Sequence, residues 1–202
     1  MMRCLLLVMM TVVCLAGCGN KVPTVAKLAS TDVVLAFGDS LTYGTGAKAE
    51  DSYPVVLGQL IGRTVVRSGV PGEQTAGGLE RLPEVLDEHK PRLVIVCLGG
   101  NDMLRKGTPA NIEANLRKIL QVIKSRGLDA ILIGVPTPTL IANPPDFYVN
   151  LAREFAIPYQ GDIITSVLYK SDLKSDPIHP NAAGYRKVAE AVAKLMRDAG
   201  AI

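Results

Sequence analysis

Apolar residues along this chain fall into short unbroken blocks, each followed by glycine or proline, and between the blocks the pattern turns helical. Val33-Val34-Leu35-Ala36-Phe37 ends at Gly38, and Thr64-Val65-Val66 ends near Ser68-Gly69. Arg92 to Leu98 ends at Gly99-Gly100, Ala130 to Val135 ends at Pro136, and Ile157-Pro158-Tyr159-Gln160 is a weaker fifth block. A strand covered on both faces needs apolar side chains at every position, so these blocks predict strands of a buried parallel sheet. Thr108-Pro109 starts a helix: the hydroxyl can accept a free N–H, and proline fits the first turn. Behind it Ile112, Leu116, Ile119, Leu120 and Ile123 form one stripe, and Gly127 stops the helix. A last helix places Tyr185, Val188, Ala189, Val192, Leu195 and Met196 on one face. Pro83 predicts a break of residues 76–88 into two short helices. The alternation predicts one three-layer α/β/α domain, five parallel strands joined by right-handed crossovers.

One apolar block does not belong to that scheme. Residues 4–18, CLLLVMMTVVCLAGC, follow the basic start Met1-Met2-Arg3. The run is shorter than the roughly 20 residues of a membrane span and has the layout of a secretory signal peptide. Its end, Leu15-Ala16-Gly17-Cys18, resembles the lipobox of bacterial lipoproteins, where a thiol accepts a diacylglyceryl group and small residues admit the peptidase. The chain then divides into a removed signal (1–17), a lipidated Cys18 with a polar tether (18–31) and a domain (32–202). Removing residues 1–17 from the 202 leaves 185. By the same resemblance the new amino terminus is acylated, and two or more chains give stable anchoring where one does not. Gly19, where an aspartate is absent, implies the periplasmic face of an outer membrane if the envelope has one. Cys4 and Cys14 leave with the signal, so only Cys97 remains, inside an apolar block where a small buried hydrophobe is expected and no disulfide can form.

The signal also accounts for part of the 48% hydrophobic content. Lysine and arginine total 22 against 19 acids, a net charge of +3, too small for a protein that lives on phosphate backbones. Six tyrosines, three phenylalanines and no tryptophan make a poor stacking platform for bases. With no Cys-x-x-Cys, no His-Glu-x-x-His and no phosphate-binding Gly-Lys loop, neither a metal nor a cofactor is expected.

Ligands of open parallel sheets sit beyond the carboxyl ends of the strands, so the residues there carry the chemistry. They are Gly38-Asp39-Ser40-Leu41-Thr42, Ser68-Gly69-Val70-Pro71-Gly72, Gly99-Gly100-Asn101-Asp102 and, before the last helix, Asp176-Pro177-Ile178-His179-Pro180. Singly each could be loop punctuation. Together they hold a hydroxyl nucleophile, an imidazole base, a carboxylate to orient it and oxyanion donors, the parts of acyl transfer. Of two histidines, His89 lies in the polar run Asp87-Glu88-His89-Lys90, which leaves His179 as the candidate base.

In order and content these four segments resemble the four blocks of the SGNH (GDSL) hydrolase superfamily over residues 33–198. The runs around Leu79 to Pro83 and Leu98 to Arg105 are similar to its thioesterase, lysophospholipase and arylesterase branch. The resemblance implies a flavodoxin-like fold, Ser40 as nucleophile, His179 as base and Asp176 as its orienting carboxylate. It implies an oxyanion hole from the N–H groups of Ser40 and Gly72 and the Asn101 amide. Gly69 competes with Gly72 for that role. Arg67 and Glu73 stand where the family often has asparagine and aspartate. Asp39 and Asp102 are read as holding loop backbone rather than as catalytic carboxylates.

The expected function is therefore a serine esterase acting, as a monomer, on a small acyl ester or lipid, membrane-attached through Cys18 and without nucleic acid. A carbohydrate or peptidoglycan O-acetylesterase is the alternative on the same fold, and a non-catalytic envelope-binding lipoprotein a second. Specificity should lie in the loop from Pro136 to Tyr148, where Leu140 and Ile141 could line an acyl-chain groove or simply pack the loop.

Overall fold

The computed structural model describes residues 22–138 and 143–202. The signal, Cys18, Leu140 and Ile141 lie outside the described residues.

The apolar blocks form five strands, β1 (Val33–Gly38), β2 (Thr64–Gly69), β3 (Leu93–Cys97), β4 (Asp129–Ile133) and β5 (Tyr159–Gln160). All pair in parallel, in the order β2-β1-β3-β4-β5. That is the flavodoxin-like order, in which the chain reverses direction of growth beside β1. Every residue of β3 is fully buried, as an unbroken apolar run requires.

Eight helices complete the described fold: α1 (Ser40–Tyr43), α2 (Tyr53–Ile61), α3 (Thr75–His89), α4 (Gly100–Leu104), α5 (Pro109–Ser125), α6 (Phe147–Glu154), α7 (Ile163–Leu168) and α8 (Ala182–Asp198). Helix α2 packs on α8 and α3 packs on α5. Thr108 Oγ1 accepts the Asn111 N–H at 3.3 Å, capping α5 behind Pro109. Asn181 Oδ1 accepts the Gly184 N–H at 3.0 Å and starts α8.

Two local expectations change. Residues 75–89 are one helix, with Pro83 inside it. Pro83 has no N–H for the Leu79 carbonyl, a loss of about 3 kcal/mol in a free helix. Gly78, Leu82 and Leu86 nevertheless bury one continuous face, and that packing outweighs the lost bond. The second change concerns the segment read as a tether. The Val25 N–H donates to Ala199 O at 3.0 Å, the Leu28 N–H to Ala201 O at 2.8 Å, and the Ala26 N–H to Asp129 Oδ2 at 3.0 Å. Leu28 is buried, and Val22 and Val25 pack on the core. Residues 22–28 are a strap across the amino-terminal ends of the strands.

Candidate active site

The site forms where the sheet reverses, between the carboxyl ends of β1 and β3. Asp39 follows β1 and caps α1: its Oδ1 accepts the Leu41 N–H at 3.0 Å, which fixes Ser40 as the first helical residue. The 176–180 loop is folded by its own carboxylate. Asp176 Oδ1 accepts the N–H groups of Ile178 and His179, each at 2.9 Å, and the Ser175 N–H donates to His179 O at 2.9 Å.

That folding aims the imidazole. His179 Nδ1 lies 2.7 Å from Asp176 Oδ2, and Nε2 lies 2.9 Å from Ser40 Oγ. A carboxylate can only accept, so Nδ1 carries the proton and the Nε2 lone pair receives the Ser40 hydroxyl. Desolvation pushes the Asp176 carboxyl up, but the Ile178 N–H and the His179 ring outweigh it and hold it below its ordinary value. His89 ends α3, beside Glu88, at the opposite end of the strands.

Asn101, on α4 after β3, donates its Nδ2 to Glu73 O at 3.0 Å and to Asp39 Oδ2 at 3.3 Å. The first bond ties the amide to the loop that carries Gly72. Of the two competing glycines, Gly69 is a packing residue: a Cβ there would stand 2.2 Å from Tyr43 N and 2.6 Å from Asp39 O. Gly72 has φ +80° and open space at its Cβ position, with only Arg105 Nη2 at 3.7 Å. The Gly72 backbone is thus free for a close approach in a conformation glycine favours.

Sequence reasoning missed how the Gly72 loop is held. Arg81 on α3 forks onto the Glu73 carboxylate, Nε to Oε1 at 2.6 Å and Nη2 to Oε2 at 2.7 Å. Its remaining donors reach Ser68 Oγ at 2.8 Å, Ser68 O at 3.1 Å and Gly38 O at 3.2 Å, with the guanidinium over the Phe37 ring. One arginine therefore joins the ends of β1 and β2 to the loop. The signal available was Glu73 itself, a charged residue in the Gly72 loop whose carboxylate meets Arg81.

Asp39 is fully buried, and burial pushes its carboxyl to about 7, helped by the charges of Glu73 and Asp102 and opposed by the Leu41 and Asn101 donors. Asp102 accepts from the Thr75 N–H at 2.8 Å and the Thr75 hydroxyl at 2.7 Å, which anchors α4 to α3. Burial pushes the Cys97 thiol up, so it packs as a hydrophobe. Tyr148 and Tyr185 donate to Leu98 O and Thr45 O, both at 2.8 Å, and brace the loops after β3 and α1.

A cavity opens over this arrangement. Ser40, Asn101 and His179 occupy its polar side, and Leu41, Leu104, Val135, Ile164, Leu168 and Ile178 contribute to its apolar wall. A nucleophile with a base, beside donors and an apolar wall, can transfer an acyl group.

Comparison with known proteins identifies the family. The profile of the GDSL-like Lipase/Acylhydrolase family matches residues 36–187. "Thioesterase 1/protease 1/lysophospholipase L1" of Escherichia coli K12 is 32% identical over 179 residues, covering 85% of this chain and 86% of that protein. An "Arylesterase" of Vibrio mimicus is 31% identical over 178 residues, covering 82% and 88%. The crystal structure of TesA superposes with a TM-score of 0.74 at 27% identity, covering 82% of this chain and 98% of that one.

Proposed function

The chain belongs to the GDSL-like lipase/acylhydrolase family and is a carboxylic ester hydrolase, and from that premise we propose that Ser40, His179 and Asp176 perform two-step acyl transfer on carboxylic esters and thioesters. The observation that carries the proposal is the unbroken chain from Ser40 Oγ through the imidazole to Asp176, 2.9 Å and 2.7 Å. Ser40 Oγ attacks the acyl carbonyl carbon as its proton passes to His179 Nε2. Asp176 keeps the Nδ1 proton in place and stabilises the imidazolium. The oxyanion is received by the Ser40 and Gly72 N–H groups and the Asn101 amide, which exchanges its longer bond, to Asp39, for the substrate oxygen. His179 then protonates the leaving alcohol or thiol. Water attacks the acyl-enzyme with His179 as base, releasing the acid and restoring Ser40.

The apolar wall favours an acyl group over a sugar or a charged chain, and acyl esters, thioesters and lysophospholipids are the substrate classes proposed. Ser40→Ala should remove p-nitrophenyl ester hydrolysis and labelling by a fluorophosphonate; retained turnover would reassign the nucleophile. Rates on acetate, octanoate and palmitate esters separate an acyl-chain enzyme from a deacetylase.

The enzyme is further proposed to sit in the cell envelope, attached through lipid on Cys18, on the strength of Leu15-Ala16-Gly17-Cys18 behind the apolar run. Cys18→Ala should abolish incorporation of labelled palmitate. Unchanged labelling refutes the anchor.

A further inference from the structure

We infer that the anchored enzyme rests on the bilayer by its strap face, with the catalytic cavity opening away from the membrane, so that its substrate is a water-borne ester. The inference rests on the proposed lipid at Cys18. No helix among the described residues is long and apolar enough to cross a membrane.

The geometry follows from where the strap is fastened. Val25 bonds to Ala199 and Leu28 to Ala201, just beyond the carboxyl end of α8, while His179 lies just before its amino end. Between them stands the whole of α8, 17 residues long. At 1.5 Å per residue that is about 26 Å. Ala26 is held by Asp129, the first residue of β4, whereas Ser40 and Asn101 follow the last residues of β1 and β3. Strap and cavity therefore lie at opposite ends of the strands.

The number of residues between Cys18 and the strap is too small to undo that separation. Val22 packs on the core, so only residues 19–21 intervene before Cys18. Four residue steps reach at most about 14 Å, roughly half the length of α8. The same face carries Lys27, Lys90 and Arg197, exposed and outside every ion pair of the described residues. Cations near a surface of anionic lipid are drawn to it. A lipid in the host leaflet thus reaches Ser40 only after leaving the bilayer.

The test uses lipidated protein in vesicles of phosphatidylethanolamine and phosphatidylglycerol containing nitroxide-headgroup lipid. One fluorophore is placed on Ser40 by a fluorophosphonate, and another on the Lys27→Cys variant by a maleimide. The Lys27 position should be quenched several-fold and the Ser40 position left unquenched. In the same vesicles, an ester held in the host bilayer should be hydrolysed more slowly than in mixed micelles, while a soluble acetate ester keeps its rate. A quenched Ser40 label, two unquenched labels, or faster hydrolysis of the host-bilayer ester on floating, palmitate-labelled protein overturns the orientation alone. Protein that neither floats nor takes up palmitate overturns the anchor, and the orientation with it.

Discussion

Replacing Arg81 with methionine separates what the ion pair contributes from what its alkyl stem packs. The substitution keeps an apolar stem against Phe37 and removes five hydrogen bonds: two to Glu73, two to Ser68 and one to Gly38. Glu73 is left with a carboxylate whose side chain is 7% exposed, while Arg81 itself was 21% exposed. An exposed pair is worth about 0–1 kcal/mol, and stripping one partner from a fully buried pair costs about 3–5. This pair lies between those limits, so a loss of about 2–3 kcal/mol is expected. For a domain of this size each kcal/mol moves Tm by about 2–4 °C, which gives a fall of about 4–12 °C. Glu73→Met alone should cost a similar amount, because it leaves the guanidinium among carbonyls. The double variant should recover much of the loss, since no unpaired charge remains. The assay is thermal unfolding of the four proteins, with turnover of a p-nitrophenyl ester beside it. Turnover of Arg81→Met should also fall, because the Glu73 carbonyl that holds Asn101 lies on the loosened loop. If Arg81→Met melts with the parent, or if the two single losses simply add in the double variant, the clamp is not what holds the loop.

Other expectations follow from the same distances. Asn101→Ala should lower kcat by ~10²–10³ with little change in melting, as removal of one oxyanion donor does; an unchanged kcat excludes the amide from that role. Gly69→Ala forces a methyl into the backbone of Tyr43 and Asp39 and should cost about 1–3 kcal/mol. Gly72→Ala has room and bears only the strain of a positive φ, about 1 kcal/mol, so it should melt above Gly69→Ala and lower kcat by shifting its N–H; equal melting of the two variants would contradict that division. Asp39 titrates at about 7 in the fold, above its value of 3.8 when free. Its stabilising contribution is therefore fully present below about pH 4 and is lost as pH rises to about 7. Urea midpoints of Asp39→Asn and the parent, compared between those limits, should show the parent losing ground as pH rises, and parallel curves would argue against the buried carboxyl. Tyr148→Phe should cost about 1–2 kcal/mol by leaving Leu98 O unpaired, as a loss of urea midpoint.

The parts of the fold that could be read from sequence are those governed by local chemistry. Unbroken apolar blocks became strands because burial on both faces leaves no place for alternation. Thr108-Pro109 became a cap because an exposed N–H needs an acceptor within three residues. Pro83 misled because a local penalty of a few kcal/mol was outweighed by a buried face formed with distant residues. The strap misled because its apolar positions, Val22, Val25 and Leu28, are few and spaced among small and polar residues, while its backbone bonds to Ala199 and Ala201 leave no mark in the sequence. In the site, Ser40, Asp176 and His179 were visible because acyl transfer restricts their residue types. Arg81, Thr75 and Tyr148 were not, because an arginine, a threonine or a tyrosine serves equally well in many places. Only their partners across the fold give them a task.

The contact between His179 and Ser40 joins residues 139 positions apart, whereas His179 and Asp176 are three apart. The acid and base are therefore paired as soon as one turn forms, but the nucleophile meets them only when the last helix docks on α2. Helix α8 needs its whole length to dock, since Val192 and Met196 in its second half are fully buried. A chain cut before α8 should therefore keep Ser40 and Asn101 in sequence and show no ester hydrolysis. Activity is thus tied to a single packing event, the seating of α8 on α2, rather than to the making of any one loop.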